Sequence, residues 1–440
     1  MQFPFLYIIL RLLHMARRRV SVCVVFMAIM PLALCAQQAG NKRPTGVYKK
    51  STVVKTYRAY VKQKDYAKAK QEIDKAMDAH AEAASDTKMY TYKVNALNEL
   101  IKQENRKIYL NQRPDTVTYF NYIYQMYETA LKADSIEQAR TAQLRAEGKK
   151  AKVKLRSEMG NALVGYRNNV ANAGKYFYNK KDYKNAFKYL DLYLSTKNAG
   201  VFNSDEGGIS IKDPDDAVAL STLAVLSAYA SSNYSGVMRY IAESANDNMV
   251  KSQILEIGYK SALAMNDSTS MLAFLQRGFE LYPETEYFFM SLVRFYADCN
   301  EKYQALEIID KMLKLYPDNR DYNYMRGKQL LLLDCDDEAI VSFEKCLELE
   351  ADDAESYSSL GDIYLEKAQD AYMKFNLPLS DPEYAKRKKQ IEALYSKACY
   401  NYENAKKYDE NNVQLWLTGL RESYFKLNKG RELRSLDKYK

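Results

Sequence analysis

Residues that break a backbone or arm an active site are scarce in this 440-residue chain. It has only 16 glycines and 9 prolines, which excludes a low-complexity polymer and favours helix. Histidine occurs twice, and only His80 lies beyond the first 36 residues. A Ser-His-Asp or Cys-His arrangement would have to use His80, which sits between Ala79 and Ala81 with no nucleophile signature nearby. Cysteine is equally sparse. Beyond residue 36 there are Cys299, Cys335, Cys346 and Cys399, and none forms the CxxC pair of a zinc site. The sequence holds no glycine-rich phosphate loop and no GxSxG. The acidic turn from Asp334 to Glu338 lacks the alternation with glycine that a calcium loop needs. The expectation is a non-enzymatic protein with no cofactor and no metal.

Charge of one sign is not in large excess either. The net charge is +9, but Arg11, Arg17, Arg18 and Arg19 fall in the first 36 residues, which carry no acid. Taking these four from +9 leaves +5 on the rest, too mild an excess to suggest nucleic acid.

What is present is periodic. Pro283 and Pro317 each close an apolar helical run, and Ala351 holds the same place. The three are evenly spaced, with a period of about 34 residues. Phe289, Leu292 and Tyr296 share one helix face, with Ala305 and Ile309 on the facing helix. After Pro317 come Gly327 and Leu330, then Ala339, Phe343 and Cys346. After Ala351 come Tyr357, Leu360, Gly361 and Tyr364. Small residues let two helices approach, and large ones fill the space between repeats. A pair of helices this short cannot offset its own ordering entropy, so neighbours must stack. Tyrosine, 39 residues in all, is read mostly as this packing, whereas tryptophan appears once, at Trp416.

These two sets resemble the first-helix and second-helix signatures of the tetratricopeptide repeat, with Tyr357 where that family usually has Trp. The resemblance implies an all-α solenoid of about eight helix-turn-helix repeats with a C-terminal capping helix. A first repeat is expected at about 47–80, and a long helix from Lys88 to Lys107 with a partner around Ile123–Ala130. Glu147 to Arg156 reads as a basic, solvated linker. Further helices are expected around Asn172–Tyr178 and Tyr183–Tyr193. Val201 to Asp213 reads as an irregular surface loop, with Asp213-Pro214 as a helix start. Ala217–Ala245 and Val250–Phe279 read as degenerate repeats. The clearest repeats span 284–364, an extended last repeat 352–410, and a cap 411–438.

The N-terminus reads as an export signal. Arg17–Arg19 precede an apolar run from Val20 to Leu34, and Ala36 precedes Gln37. Cleavage after Ala36 would leave 37–46 as a disordered lead-in and 47–440 as the solenoid. Met15 offers an alternative start to Met1, and Cys35 an alternative reading as a lipidation site. An Ala-Gln junction of this kind resembles exported proteins of the Bacteroidetes, which implies a periplasmic protein, with outer-membrane association as a further option. In an oxidising periplasm the question of a Cys299–Cys335 pair stays open.

The resemblance also implies a binding face. First helices of such arrays line a concave surface that holds peptide segments or partner domains. That face would carry Lys175 and Tyr178, then Tyr287, Met290 and Arg294, then Tyr324 and Lys328, then Asp362. The expected partner is a protein or peptide. The rival reading is a glycan-binding accessory of an outer-membrane uptake system, which requires lipidated Cys35 and an exposed aromatic platform.

Overall fold

The computed structural model describes residues 48–211, 217–247 and 249–439. The leader, the lead-in and the Asp213-Pro214 helix start fall outside the described residues. Within them are twenty α-helices and no strand.

Eight antiparallel hairpins follow one another. They are α1 (Lys50–Lys62) with α2 (Tyr66–Ala79); then, after the single turn α3 (Ala81–Ala84), α4 (Thr87–Tyr109) with α5 (Thr116–Ala146). After α6 (Leu155–Val164) come α7 (Arg167–Asn179) with α8 (Tyr183–Ser195), and α9 (Ala217–Ala230) with α10 (Tyr234–Ser244). Next are α11 (Lys251–Ala264) with α12 (Ser268–Leu281), and α13 (Glu286–Asp298) with α14 (Lys302–Leu315). The last two are α15 (Arg320–Leu331) with α16 (Asp336–Leu349), and α17 (Ala354–Met373) with α18 (Tyr384–Tyr408). The chain ends in α19 (Leu417–Lys426) and α20 (Gly430–Ser435). The second helix of each hairpin packs on the first helix of the next, so the chain is an all-α solenoid.

One turn is used repeatedly. Lys64, Lys181, Ser232, Asn266, Asn300 and Asp334 all have φ between 55° and 60°, and each stands just ahead of the residue that caps a second helix. Of those caps, Asp65, Asp182, Asn233 and Asp267 each accept a hydrogen bond from a backbone N–H in the first turn. Glycine sets the approach of the two helices within a hairpin. A Cβ on Gly174 would meet Leu190 at 2.6 Å, and one on Gly258 would meet Phe274 at 2.8 Å. Gly327 lies the same way against Phe343 at 2.7 Å, and Gly361 against Tyr402 at 2.8 Å. The first three partners follow their glycines at one constant spacing. Tyr402 stands farther along the chain from Gly361, because α17 and α18 are both lengthened.

One sequence expectation needs correction, and two gain detail. The two degenerate repeats keep the period, since second helices start at Tyr234, Ser268, Lys302 and Asp336, at equal intervals. The basic linker does not run solvated to Arg156. That side chain is only 3% exposed and lies in the first turn of α6. Its Nε donates to Asp134 Oδ1 at 2.8 Å and its Nη1 to the Glu206 carbonyl at 3.0 Å. The loop after Val201 is irregular and mostly at the surface, as expected, with Ser204 to Gly207 exposed, but it is anchored at its start. Val201 and Phe202 are buried, and Gly208 lies so close to Gly200 and Val201 that no side chain would fit there. A charge run and a glycine pair signal loops on average. Here a buried carboxylate on α5, Asp134, draws Arg156 inward. At the other end, the chain past Leu427 forms α20 and buries Leu436 beside Trp416.

Candidate functional site

The helix period places one residue from each first helix on a common line. The residue after the packing glycine is Tyr259 on α11, Lys328 on α15 and Asp362 on α17. Arg294 holds the same place on α13, where Val293 replaces the glycine. Arg294, Lys328 and Asp362 stand one period apart, so a stack of equal hairpins must align them. The side chain at this place cannot turn inward, because the space beside the glycine is occupied by the second helix.

Arg294 is largely exposed, and its nearest carboxylate is Asp298 on the same helix at 3.8 Å. Its charge is felt by Tyr259, the neighbour one hairpin back. Tyr287 meets Tyr259 edge-on, ring centroids 6.2 Å apart, and the Lys260 ammonium lies 5.7 Å from the Tyr287 ring. Burial, and then Glu256, pushes the Tyr287 hydroxyl well above its ordinary range.

Lys328 is half-buried and makes no hydrogen bond or ion pair among the described residues. Burial holds its ammonium below the usual lysine range, opposed by the charges of Asp362 and Glu355. Asp362 is open to solvent, yet protein surrounds it closely enough to raise its pKa, against the pull of Tyr402 and Lys328. That combination describes a side chain in a recess. The Tyr402 hydroxyl donates to Asp362 Oδ1 at 2.6 Å. No ion pair among the described residues joins Lys328 to Asp362, so each faces the recess with charge to offer.

The flanking charges are already spent. Arg320 Nε donates to Asp353 Oδ2 at 2.7 Å and Nη2 to Glu355 Oε2 at 3.1 Å, while the guanidinium lies 4.7 Å from the Tyr324 ring centroid. Arg326 is held by Asp310 and by Ser342 Oγ, each at 2.8 Å.

The eight residues read from the sequence therefore divide. Tyr287, Arg294, Lys328 and Asp362 lie along one row. Tyr324 is 8% exposed, edge-on to Phe343, and forms floor rather than contact surface, its hydroxyl pushed up by burial to about 12. Met290 packs partly into the core beside Phe288 and Phe289. Lys175 follows Gly174 as Lys328 follows Gly327, but the buried Val225 takes that place on α9 and interrupts the row. Tyr178 packs edge-on to Tyr183 within its own hairpin. Sequence reading missed Tyr259, Glu256, Lys260 and Tyr402. Tyr259 was findable, since it follows Gly258; Tyr402 was legible as a second-helix packing residue, with Ala398 and Ala405 at the usual spacing, but its bond to Asp362 was not.

His80 ends α2 with its ring 5.3 Å from that of Tyr48. Among the described residues no three His, Cys, Asp or Glu side chains could share a metal ion. Cys299 and Cys335 are unbridged, and Cys346 is buried as a core residue.

No family model matches the chain, and no curated protein matches it. Solved structures overlap it weakly. The C-terminal part of a TPR repeat-containing protein from Cytophaga hutchinsonii is 12% identical, over 61% of this chain and 96% of that one, with a TM-score of 0.35. The crystal structure of MamA is 15% identical, over 43% of this chain and 89% of that one, with a TM-score of 0.33. YrrB, described as a TPR protein with an unusual peptide-binding site, is 15% identical, over 44% and 86%, with a TM-score of 0.30. At these scores the overlaps support no inference about this chain, whose architecture stands on its own helix packing.

Proposed function

We propose that the protein is a non-enzymatic adaptor that holds a peptide segment of a protein partner along the row from Tyr259 to Asp362. The observation that carries this reading is Lys328, a half-buried ammonium without a protein partner, one period from the largely exposed Arg294, which among the described residues pairs only with Asp298, at 3.8 Å. Burying a charge costs free energy unless it is paired. A ligand carboxylate supplies the pair at Lys328 and Arg294, and a ligand donor supplies it at Asp362. The tyrosines alongside give contact area at low entropic cost. They are turned edge-on into packing rather than laid flat, which favours a peptide over the sugar platform that a glycan-binding accessory needs.

The leader-like N-terminus supports export, and we extend the proposal to a periplasmic adaptor serving outer-membrane transport or secretion. Capture from the periplasmic fraction of the source cells, with crosslinking and mass spectrometry, tests it. The full chain should retain a defined partner, and a Lys328→Gln, Arg294→Gln variant should retain it at least tenfold less. Equal retention by the variant would remove the row from the function, and no partner at all would remove the adaptor.

A further inference from the structure

The long hairpin of α17 and α18 breaks a rule that most of the other hairpins keep. Most second helices begin on a bonded Asp or Asn cap, or carry acids in the first turn, as α16 does with Asp336, Asp337 and Glu338. That suits the positive end of the helix dipole. α14 starts on Glu301 without a side-chain cap bond, but only Lys302 follows it in the first turn. α18 likewise starts on an unbonded Glu383, and it then opens on Lys386, Arg387, Lys388 and Lys389, all exposed. Lys386 pairs with Glu383 at 3.0 Å and Lys388 with Glu392 at 3.9 Å. Arg387 and Lys389 have no carboxylate partner among the described residues. A run of cations at the wrong end of a helix weakens it locally, and two of the four go unanswered. Such a conflict marks a place kept for another purpose.

A second oddity sits beside it. Met373 is 84% exposed and Leu379 is 83% exposed, with Tyr372 and Phe425 also open. The chain between Met373 and Leu379 is anchored rather than trailing. Phe375 lies 5.0 Å from Tyr384, ring to ring, and joins the cluster around Ile391 and Tyr395, and the Lys426 ammonium lies 4.0 Å from the Tyr372 ring. α17 runs 20 residues where α13 runs 13, so its end extends about 10 Å past where a first helix of the regular repeats stops. A shallow open hollow along α18, lined by Ala385, Lys386, Lys389, Gln390 and Ala393, lies on the same projection.

We infer that this tip docks on an anionic lipid surface. Met373 and Leu379 enter the headgroup layer, and Lys386 to Lys389 meet lipid phosphates, with the uncapped N–H groups of α18 as further donors. Apolar tips flanked by cations on a projecting, unwalled surface suit a fluid interface. An acidic protein would account for the cations alone, not for the exposed Met373 and Leu379. Among the described residues no helix is long and apolar enough to cross a membrane, so the contact is peripheral. This inference is independent of the row on the first helices.

Cosedimentation of the full chain with vesicles tests it. Phosphatidylcholine vesicles containing phosphatidylglycerol should bind the protein, and pure phosphatidylcholine vesicles should not. High salt should release it. Arg387→Gln with Lys389→Gln should lower partitioning about 25-fold, at about fivefold per charge, with an unchanged melting temperature. Met373→Ser with Leu379→Ser should also lower it, at every salt concentration. Failure of the wild type to bind anionic vesicles, or binding that the charge variant leaves intact, would overturn the inference. So would retention on polyglutamate without any vesicle binding, since that assigns the tip to an acidic protein.

Discussion

Two stretches of one stack are built by different means. From Ala217 to Tyr364 each hairpin repeats the last, and from Leu255 on the core is divided into clusters that span a hairpin or two. From Thr87 to Ile211 the period fails. There a 31-residue helix, an extra helix and the 3-10 turn at Gly200–Phe202 share one apolar cluster reaching from Tyr90 to Ile254. The repetitive stretch needs only small and large residues in register. The irregular one adds two buried arginines. Arg156 ties α5 to the 204–206 turn, and Arg167 reaches the Tyr193 carbonyl and Thr196 Oγ1 while lying 4.2 Å from the centre of the Tyr193 ring. Where equal neighbours do not fix a hairpin's place, a paired charge specifies it.

Arg156→Ala should separate the two stretches most sharply. It leaves Asp134 buried without its partner, at a cost of roughly 3–5 kcal/mol. Hydrogen exchange should show lost protection across 116–211 and native protection in α13 to α16. Uniform loss along the chain would mean that the two stretches are one cooperative unit. Gly327→Ala is the matching test in the periodic stretch. The new Cβ meets the Phe343 ring at 2.7 Å, and overpacking should cost roughly 1–3 kcal/mol, read as faster exchange in α15 and α16.

Acid should distinguish the stretches next. Burial alone would raise the Asp353 pKa, but hydrogen bonds from Arg320 and Ser356 overcome it and hold the carboxylate below the usual range. Because the folded pKa lies below the unfolded one, the contribution is complete above about pH 4 and disappears as pH falls through the folded value. Asp353→Asn should lose about 1.5 kcal/mol at neutral pH and flatten the acid limb of the stability curve. The smallest effect should come from the turns. The periodic stretch places Asn266, Asn300 and Asp334 at the left-handed position, whereas earlier hairpins place Lys64 and Lys181 there. Asn tolerates that backbone better than Lys. Lys64→Asn with Lys181→Asn should therefore raise stability by about 0.5 kcal/mol per site, measured as a higher denaturant midpoint.

Periodicity made the stack legible. The residues that repeat, such as Gly327 with Phe343 or Ala305 with Ile309, are those that meet, so their spacing carried the fold. Long-range pairing was not legible. Nothing around Arg156 in the sequence points to Asp134 or Glu206, which lie 22 and 50 residues away. The row was legible in part for the same reason. Lys328 and Asp362 follow glycines in plain register, while the packing of Tyr324 against Phe343 depends on the tilt of one helix, which spacing does not encode.

The shared turn and the constant start-to-start interval make the periodic stretch a ruler graduated in hairpins. Excising one whole unit, for example 286–319, would bring like ends together, Tyr282 and Arg320 taking up the relation that Tyr316 has to Arg320 now. The shortened protein would keep its turns and its interval and lose a single graduation, Arg294, from the row.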